Sequence, residues 1–202
     1  MRTQGSISKG GDMIWANNRV DSVIDDADRV PLGNAQPKFL AGLYNFVSYK
    51  DFSLSFNFYV SWGGVIYNRA RHNLNTNATS NVTPDPEYIR GAWWNQGDET
   101  KWPIPRNNSM GNSRELSSLY IEDASFIRLR NVRLTYNIPT KIMSKVKMRG
   151  VSVYVYGNNL LTWTNYSWYD PEISFTNPLQ MGQDNGRYPR KREYGAGINV
   201  NF

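Results

Sequence analysis

The chain has 202 residues, of which 40% are hydrophobic and 14% aromatic, with 7 Trp and 13 Tyr. So many aromatic residues in a polar chain are more typical of membrane-interface girdles or glycan-stacking surfaces than of a large dry core. No apolar run is long enough for a transmembrane helix, which excludes a helical membrane protein. The chain has no cysteine, which excludes disulfides and thiolate–metal sites.

The charge balance is 23 Lys and Arg against 17 Asp and Glu, a formal net charge of +6. The basic residues are scattered, so we interpret the excess as charge on loops and polar strand faces. We therefore expect no nucleic-acid partner.

The segment Asp12–Asp28 resembles a degenerate calcium loop of the form D-x-N-x-D-G-x-I. With Ile24 in the last position, the ligand positions fall on Asn17, Arg19 and Asp21. An arginine adds positive charge where a dication would bind, so a structured acidic loop is favoured over a metal site. We predict no metal ion and no other cofactor.

Two strands are predicted next, Phe39–Tyr49 and Phe52–Trp62, joined by a tight turn at Lys50–Asp51. The second alternates strictly, because side chains of a strand point to opposite faces in turn. Its apolar face carries Phe52, Leu54, Phe56, Phe58, Val60 and Trp62. Eleven residues with one apolar face are about what a tilted strand needs to cross a bilayer.

A long excursion, Asn68–Asp123, follows and is rich in Asn, Thr and Pro. Loops of this length are usually functional. Trp93, Trp94 and Trp102 either stack on a sugar-containing substrate or form the core of the loop itself. The single histidine of the chain, His72, we expect to be exposed rather than catalytic or metal-bound.

The strand Ile127–Ile138 changes its alternation at Arg130–Asn131, which predicts a β-bulge. Arg128, Arg130 and Arg133 share its polar face. In a barrel these arginines line the lumen, where charge is tolerated and an acidic substrate would pair with them.

A basic connection, Thr140–Gly150, leads to a strand over Val151–Trp163 that Gly157–Asn159 interrupts. The second long loop, Thr164–Arg187, carries the carboxylates Asp170 and Glu172. Such a pair occurs in glycosidases, but two residues apart around a proline it is more consistent with fixing the loop. We find no catalytic constellation and predict that the protein is not an enzyme.

The last strand, Glu193–Phe202, again separates apolar from polar residues. Its apolar stripe contains Tyr194, Ala196, Ile198, Val200 and Phe202. Five alternating strands with alternately short and long connections predict an all-β fold, the segment of a transmembrane antiparallel β-barrel with long extracellular loops. A secreted carbohydrate-binding β-sandwich and a passive porin are the alternatives.

Several stretches together resemble the SusC/RagA family of TonB-dependent outer-membrane transporters. They are D-D-A-D-R-V-P-L-G-N-A-Q-P-K-F, S-F-I-R-L-R-N-V-R-L-T-Y-N-I-P, V-Y-G-N-N-L-L-T-W-T, Y-D-P-E and G-I-N-V-N-F. The resemblance implies that residues 1–202 are the carboxy-terminal part of a 22-stranded barrel in the bacterial outer membrane. Because no apolar stretch follows Met1, we expect no signal peptide in these residues, and the resemblance implies that the family's amino-terminal plug lies outside residues 1–202.

What the family does is expected of the whole transporter. Members import oligosaccharides or peptides, a SusD-like lipoprotein covers the extracellular loops, and the TonB complex supplies energy through the amino-terminal part. In such barrels the assembly machinery reads the last strand, which assigns that role here to Tyr194, Ile198, Val200 and Phe202.

Overall fold

The computed structural model describes residues 10–13, 15–16, 18, 21, 26–76, 83–105, 117–143, 148–172 and 180–201. The chain divides into two compact units. The loop unit comprises residues 1–33, 67–121 and 183–186, and the sheet unit comprises residues 34–66, 122–182 and 187–202.

Strands dominate the described residues, and three short helices accompany them. In chain order the strands are β1 (Phe39–Tyr49), β2 (Phe52–Trp62), β3 (Val65–Asn68), β4 (Ile121–Asp123), β5 (Phe126–Asn137), β6 (Gly150–Thr164), β7 (Gln183–Asp184) and β8 (Glu193–Asn201). The helices are α1 (Arg69–Thr76), α2 (Pro86–Gly91) and α3 (Thr140–Met143). None of these helices is long and apolar enough to cross a membrane.

The sheet unit is built on five antiparallel strands in the order β1-β2-β5-β6-β8. The bounds of β1 and β2 agree with the prediction, and those of β5, β6 and β8 differ from it by one residue at each changed end. The five predicted strands of an all-β meander are therefore confirmed.

The register brings a row of large apolar residues from each of the five strands to one face, which we call the apolar face, although β1 carries apolar residues on its other face too. Phe58 of β2 pairs with Leu43 of β1 and Leu129 of β5, which in turn pairs with Leu161 of β6. Large side chains on this face stay exposed, for example Leu43 at 58%, Leu161 at 49% and Ile198 at 65%. A β-sandwich would cover such a face with a second layer, whereas a membrane protein presents it to lipid.

Aromatic residues concentrate at both ends of the apolar face. Phe39, Trp62 and Trp163 lie near one end, and Tyr49, Phe52 and Tyr136 share the row at the other. Phe52 and Trp62 are ten residue steps apart along β2, which corresponds to about 33 Å. At a tilt near 45° this is about 23 Å across, close to the apolar band of an outer-membrane barrel.

The predicted β-bulge is present in β5. Asn57 of β2 pairs with Asn131 but the next residue, Phe58, pairs with Leu129, so Arg130 is the extra residue. On the other side, β6 runs unbroken through Gly157–Asn159 rather than being interrupted there. The irregularity is taken up by Asn159, whose φ of 52° lies in the left-handed region.

Short and long connections leave opposite ends of the sheet. The Lys50–Asp51 turn and the α3 connection join strands at one end, which we call the turn end. Because neighbouring strands are antiparallel, residues 63–125 and 165–192 join strands at the other end, the loop end.

The loop unit has a small core of its own. Tyr88, Ala92, Trp102 and Tyr120 are buried together. The ring of Trp102 lies 5.8 Å from those of Tyr88 and Tyr120. The Arg71 guanidinium stacks on Trp102 at 5.0 Å and pairs with Asp85, while β3 and β7 pair in parallel beside it. The excursion is therefore folded around a core rather than irregular.

Candidate functional site: the polar face of the sheet

The face opposite the apolar one, which we call the polar face, carries rows of side chains that run across the strands. One row contains Ser55, Arg133, Tyr156 and Gly195. The next row towards the turn end contains Ser53, Thr135, Tyr154 and Gly197. Towards the loop end lie Asn57, Asn131, Asn158 and Glu193.

Arg128 is the buried centre of an ion cluster near the loop end. It is 2% exposed and donates to Asp170 at 2.5 Å and to Glu172 at 2.9 Å. Its Nε has no hydrogen-bond partner among the described residues. A buried guanidinium requires such paired carboxylates, because an isolated charge away from water is costly.

Arg130 and Arg190 complete the cluster around Glu172. Arg130 donates to Glu172 at 2.5 Å and stacks on Tyr59 at 3.8 Å from the ring centre. The Arg190 guanidinium lies 3.2 Å from Glu172, and its backbone N–H donates to Asp170 at 2.9 Å. Both carboxylates are thus occupied in tying residues 165–190 to β5, as the loop-fixing interpretation expects.

Arg133 is in a different environment. It is exposed, and its guanidinium carbon lies 3.7 Å above the ring centre of Tyr154. Among the residues that the structure describes, Arg133 makes no ion pair. Cation–π stacking holds the guanidinium plane while leaving its N–H edges open to a ligand.

Tyr154 and Tyr156 lie across the two glycines of β8 that directly face them. A Cβ on Gly197 would come within 2.4 Å of the Tyr154 ring, and one on Gly195 within 2.5 Å of the Tyr156 ring. The alternation of Gly195 and Gly197 in the sequence signals that bulky side chains cross this strand, although it does not say which. Neither tyrosine, nor Arg190, was among the predicted site residues.

A ladder of amides closes the row next to Arg133. The side chain of Asn131 donates to Asn158 at 2.9 Å, and that of Asn158 donates to Glu193 at 3.1 Å. Lys191 pairs with the same carboxylate at 2.8 Å. Asn131, Asn158 and Glu193 are therefore bonded to one another in a chain that helps to fix the register of β5, β6 and β8.

In the loop unit, the three predicted tryptophans have different surroundings. Trp102 is 3% exposed and belongs to the core, so it offers no ring face to a ligand. Trp93 is partly buried against Gly11 and donates its backbone N–H to the Trp102 carbonyl at 3.1 Å. Trp94 is 50% exposed. The loop-core interpretation accounts for Trp102, and Trp94 carries the accessible ring.

Hydrogen bonds hold Trp94 in place. Its indole N–H donates to the Ile89 carbonyl at 3.1 Å. The backbone N–H groups of Trp94 and Asn95 both donate to the Asp98 carboxylate. These hydrogen bonds lower the pKa of the Asp98 carboxyl below its usual value, and the bond from Asn95 has the larger effect.

Buried phenols surround the core of the loop unit. Burial raises the pKa of Tyr88 to about 12, and within the part of the chain that the structure describes its hydroxyl has no hydrogen-bond partner. Burial also raises the pKa of Tyr120. His72 is buried, with its ring tilted against that of Tyr120 at 4.7 Å between centres and hydrogen-bonded to the Tyr67 hydroxyl. The expectation that His72 is exposed is therefore wrong, because helix α1 turns it into the aromatic core.

Three of the four predicted assembly residues, Tyr194, Ile198 and Val200, lie on the apolar face of β8. Ile198 pairs with Val153 and Val200 pairs with Val151, while Tyr194 is 73% exposed. Phe202 lies outside the described residues.

The degenerate calcium loop is only partly described. Asn17, Arg19 and Ile24 lie outside the described residues. Asp28 is buried and accepts from the backbone N–H of Asn18 at 2.8 Å. Among the described residues, no group of three or more His, Asp or Glu side chains is placed to hold a metal ion.

Similar proteins were found by sequence and by structure, although no family model matches the chain. TonB-dependent receptor P39 of Formosa agariphila is 34% identical over 205 residues, 100% of this chain and 20% of that protein. TonB-dependent receptor SusC of Bacteroides thetaiotaomicron is 25% identical over 190 residues, 94% of this chain and 17% of that protein. The RagAB peptide importer in its open-open state superposes with a TM-score of 0.72 and 26% identity, covering 94% of this chain and 20% of that one.

The exposed apolar face, the aromatic bands and the charged polar face define a segment of an outer-membrane β-barrel wall. With these relatives, the chain belongs to the TonB-dependent receptor family of the SusC/RagA type, as its motifs predicted. It spans about one fifth of the length of the relatives it matches. These relatives are named as receptors or importers, not as enzymes.

Proposed function

We propose that this chain forms part of the wall of an outer-membrane transporter that imports oligosaccharides or peptides in a TonB-dependent manner. The observation that carries the proposal is a single sheet with one face suited to lipid and the other lined by arginines and tyrosines. A wall of this kind separates a lipid phase from a polar lumen through which cargo passes.

Cargo contact is assigned to two sets of residues. On the polar face, Arg133 is open to cargo, while Arg128 and Arg130 shape the lumen through their ion pairs with the loop. In the loop unit, Trp94 stacks on cargo, and Trp93 and Trp102 hold the loop in shape. Flat indole faces bury well against sugar rings and against apolar peptide side chains.

The partners follow from the family. A SusD-like lipoprotein covers the loop end, which faces the outside of the cell, and the TonB complex acts through an amino-terminal part of the whole receptor. The RagAB structure is named a peptide importer, which supports a peptide cargo for this transporter. The name of SusC, a TonB-dependent receptor, supports dependence on TonB.

The last strand has a second role, in assembly. Tyr194, Ile198, Val200 and Phe202 form the apolar stripe that the outer-membrane assembly machinery recognises. Pairing of β8 with the next strand around the barrel then removes an open sheet edge.

The proposal is tested by deleting the gene for the whole receptor and measuring growth on oligosaccharides and on peptides as sole nutrients. Growth on at least one class is expected to be lost, and inactivation of TonB should reproduce the loss. Uptake that persists without TonB would instead favour a passive porin. Growth that is unaffected on every oligosaccharide and peptide offered would refute import.

A further inference from the structure

We propose that Arg133 and Tyr156 form a subsite for an acidic sugar residue, one that carries a carboxylate or sulfate. The subsite lies on the polar face of the sheet, and the proposal rests on the proposed import of cargo past this face. It assigns a cargo class to the transporter and separates the roles of the three arginines of β5.

The first observation is that two of the three arginines are already neutralised. Arg128 and Arg130 pair with Asp170 and Glu172 at 2.5 to 2.9 Å. Arg133 is exposed and makes no ion pair among the described residues. Among the described residues it is therefore the arginine of β5 whose charge is not already paired with a carboxylate.

The second observation is that Arg133 is held in place before any ligand arrives. The guanidinium carbon of Arg133 lies 3.7 Å from the ring centre of Tyr154. The Tyr154 ring in turn occupies the space beside Gly197 that a side chain there would fill. A guanidinium with its plane fixed loses less freedom when its N–H edge pairs with an oxyanion. Carboxylate and sulfate oxygens both match that edge and accept two parallel hydrogen bonds.

The third observation is the neighbouring aromatic platform. Tyr156 is the direct partner of Arg133 in the β5–β6 register, so the two Cβ atoms are about 5 Å apart. The Tyr156 ring lies over Gly195 and remains 40% exposed. A sugar ring stacked on Tyr156 would thus bring a charged substituent at its edge within reach of Arg133.

The pair favours an acidic glycan over an acidic peptide. A peptide carboxylate would need Arg133 but no flat surface beside it, whereas a charged sugar uses both groups at once. A neutral sugar would use Tyr156 alone. The two side chains therefore contribute separable parts of the affinity.

The test uses the full-length receptor purified from outer membranes, with oligogalacturonides, their neutral methyl esters, a sulfated oligosaccharide and a peptide rich in Glu as probes. Arg133→Gln should weaken binding of an acidic oligosaccharide about tenfold and leave the methyl ester unaffected. Arg133→Lys keeps the charge but not the bidentate geometry, so its affinity for the acidic oligosaccharide should lie between those of the wild type and Arg133→Gln. Tyr156→Ala should weaken the acidic and neutral sugars alike, and Ser152→Ala, on the same face in another row, serves as control.

Equal amounts of folded receptor in the membrane for all variants exclude a folding defect. Equal affinity of Arg133→Gln and the wild type for every acidic oligosaccharide would overturn the subsite, and so would dependence on Arg133 for the acidic peptide alone. If the wild type binds no acidic oligosaccharide yet imports a neutral glycan or a peptide, this inference fails while the transporter function stands. If it imports nothing, the transporter function itself fails.

Discussion

The ring of Tyr154 on β6 lies across Gly197, its register partner on β8, and Tyr156 lies across Gly195 in the same way. Each glycine provides the space in which a tyrosine packs flat on the neighbouring backbone. These two contacts cover backbone that would otherwise be bare and fix the register of the last strand. They also hold the platform for Arg133.

Alanine at Gly197 is expected to destabilise the pairing of β6 with β8. Its Cβ would lie 2.4 Å from the Tyr154 ring, so the ring must leave its place. Overpacking of this kind costs about 1–3 kcal/mol. Thermal unfolding of the full-length receptor, followed by the loss of its compact form on gels, measures the effect.

Gly42 on β1 provides the matched control. It also lies in a strand on the polar face, but a Cβ there would meet nothing within 4 Å. Gly42→Ala should leave the unfolding temperature within experimental error. Equal unfolding temperatures for the Gly197 and Gly42 variants would show that the tyrosine contact does not fix the strand.

Removal of Arg128 is expected to release the loop that follows β6. Arg128→Met would leave the buried Asp170 carboxylate without its guanidinium, a loss of about 3–5 kcal/mol in local stability. Cleavage by subtilisin between residues 165 and 190 of the folded receptor should become faster. Arg192→Gln, at an exposed arginine, should not change the rate.

A double-mutant cycle tests whether the pair itself is responsible. The loss of local stability in the double variant Arg128→Met/Asp170→Asn should be smaller than the sum of the losses in the two single variants. The reason is that the double variant leaves neither charge of this pair buried alone. Strict additivity would show that the two residues act independently.

High pH is expected to loosen the loop unit through Tyr88. Burial raises its pKa to about 12 from 10.0, so the folded state favours the neutral phenol. The stabilisation is fully present below pH 10 and is lost as the pH rises from about 10 to 12. Subtilisin cleavage of residues 83–105 at increasing pH should report this.

Tyr88→Phe removes both the titrating group and a buried hydroxyl for which the described residues offer no hydrogen-bond partner. It should leave stability at pH 7 unchanged or raise it by about 1 kcal/mol, and should shift the onset of cleavage to higher pH. Tyr188→Phe alters a fully exposed ring and serves as control. An unchanged onset in Tyr88→Phe would assign the alkaline loss to other groups.

The sheet could be predicted from the sequence because alternation encodes its faces directly. Phe52–Trp62 displays one apolar and one polar face, and the change of parity at Arg130 marks the bulge. β1 is harder to interpret, since Leu40, Tyr44 and Phe46 place large apolar groups on its polar face as well. Only its pairing with β2 decides which face meets lipid.

The contacts of the candidate site could not be predicted, because they join distant parts of the chain. Asp170 lies 42 residues from Arg128, and no local pattern relates them. His72 lies between Arg71 and Asn73, and Trp102 directly follows Lys101, yet the fold of the loop unit buries both. The identity of a buried residue in a long loop depends on tertiary packing rather than on periodicity.

The loop end is expected to face the outside of the cell. Tyr188→Cys, at a fully exposed position between residues 165 and 192, should react on intact cells with a membrane-impermeant maleimide. Lys141→Cys, exposed in α3 at the turn end, should react only after the outer membrane is opened. This chain has no cysteine of its own to interfere. The reverse pattern would invert the orientation.

Deletion of Phe202 separates assembly from stability. In the sequence this residue ends the apolar stripe of Tyr194, Ile198 and Val200, and even complete burial of one phenylalanine side chain is worth only about 2 kcal/mol. That is too little to unfold a barrel in which every strand is paired. A large fall in membrane-inserted receptor, at an almost unchanged unfolding temperature, is therefore expected from failed recognition by the assembly machinery. Phe202→Tyr keeps a terminal aromatic ring and should insert normally. Normal insertion of the deletion variant would show that the last strand is part of the barrel wall without being an assembly signal.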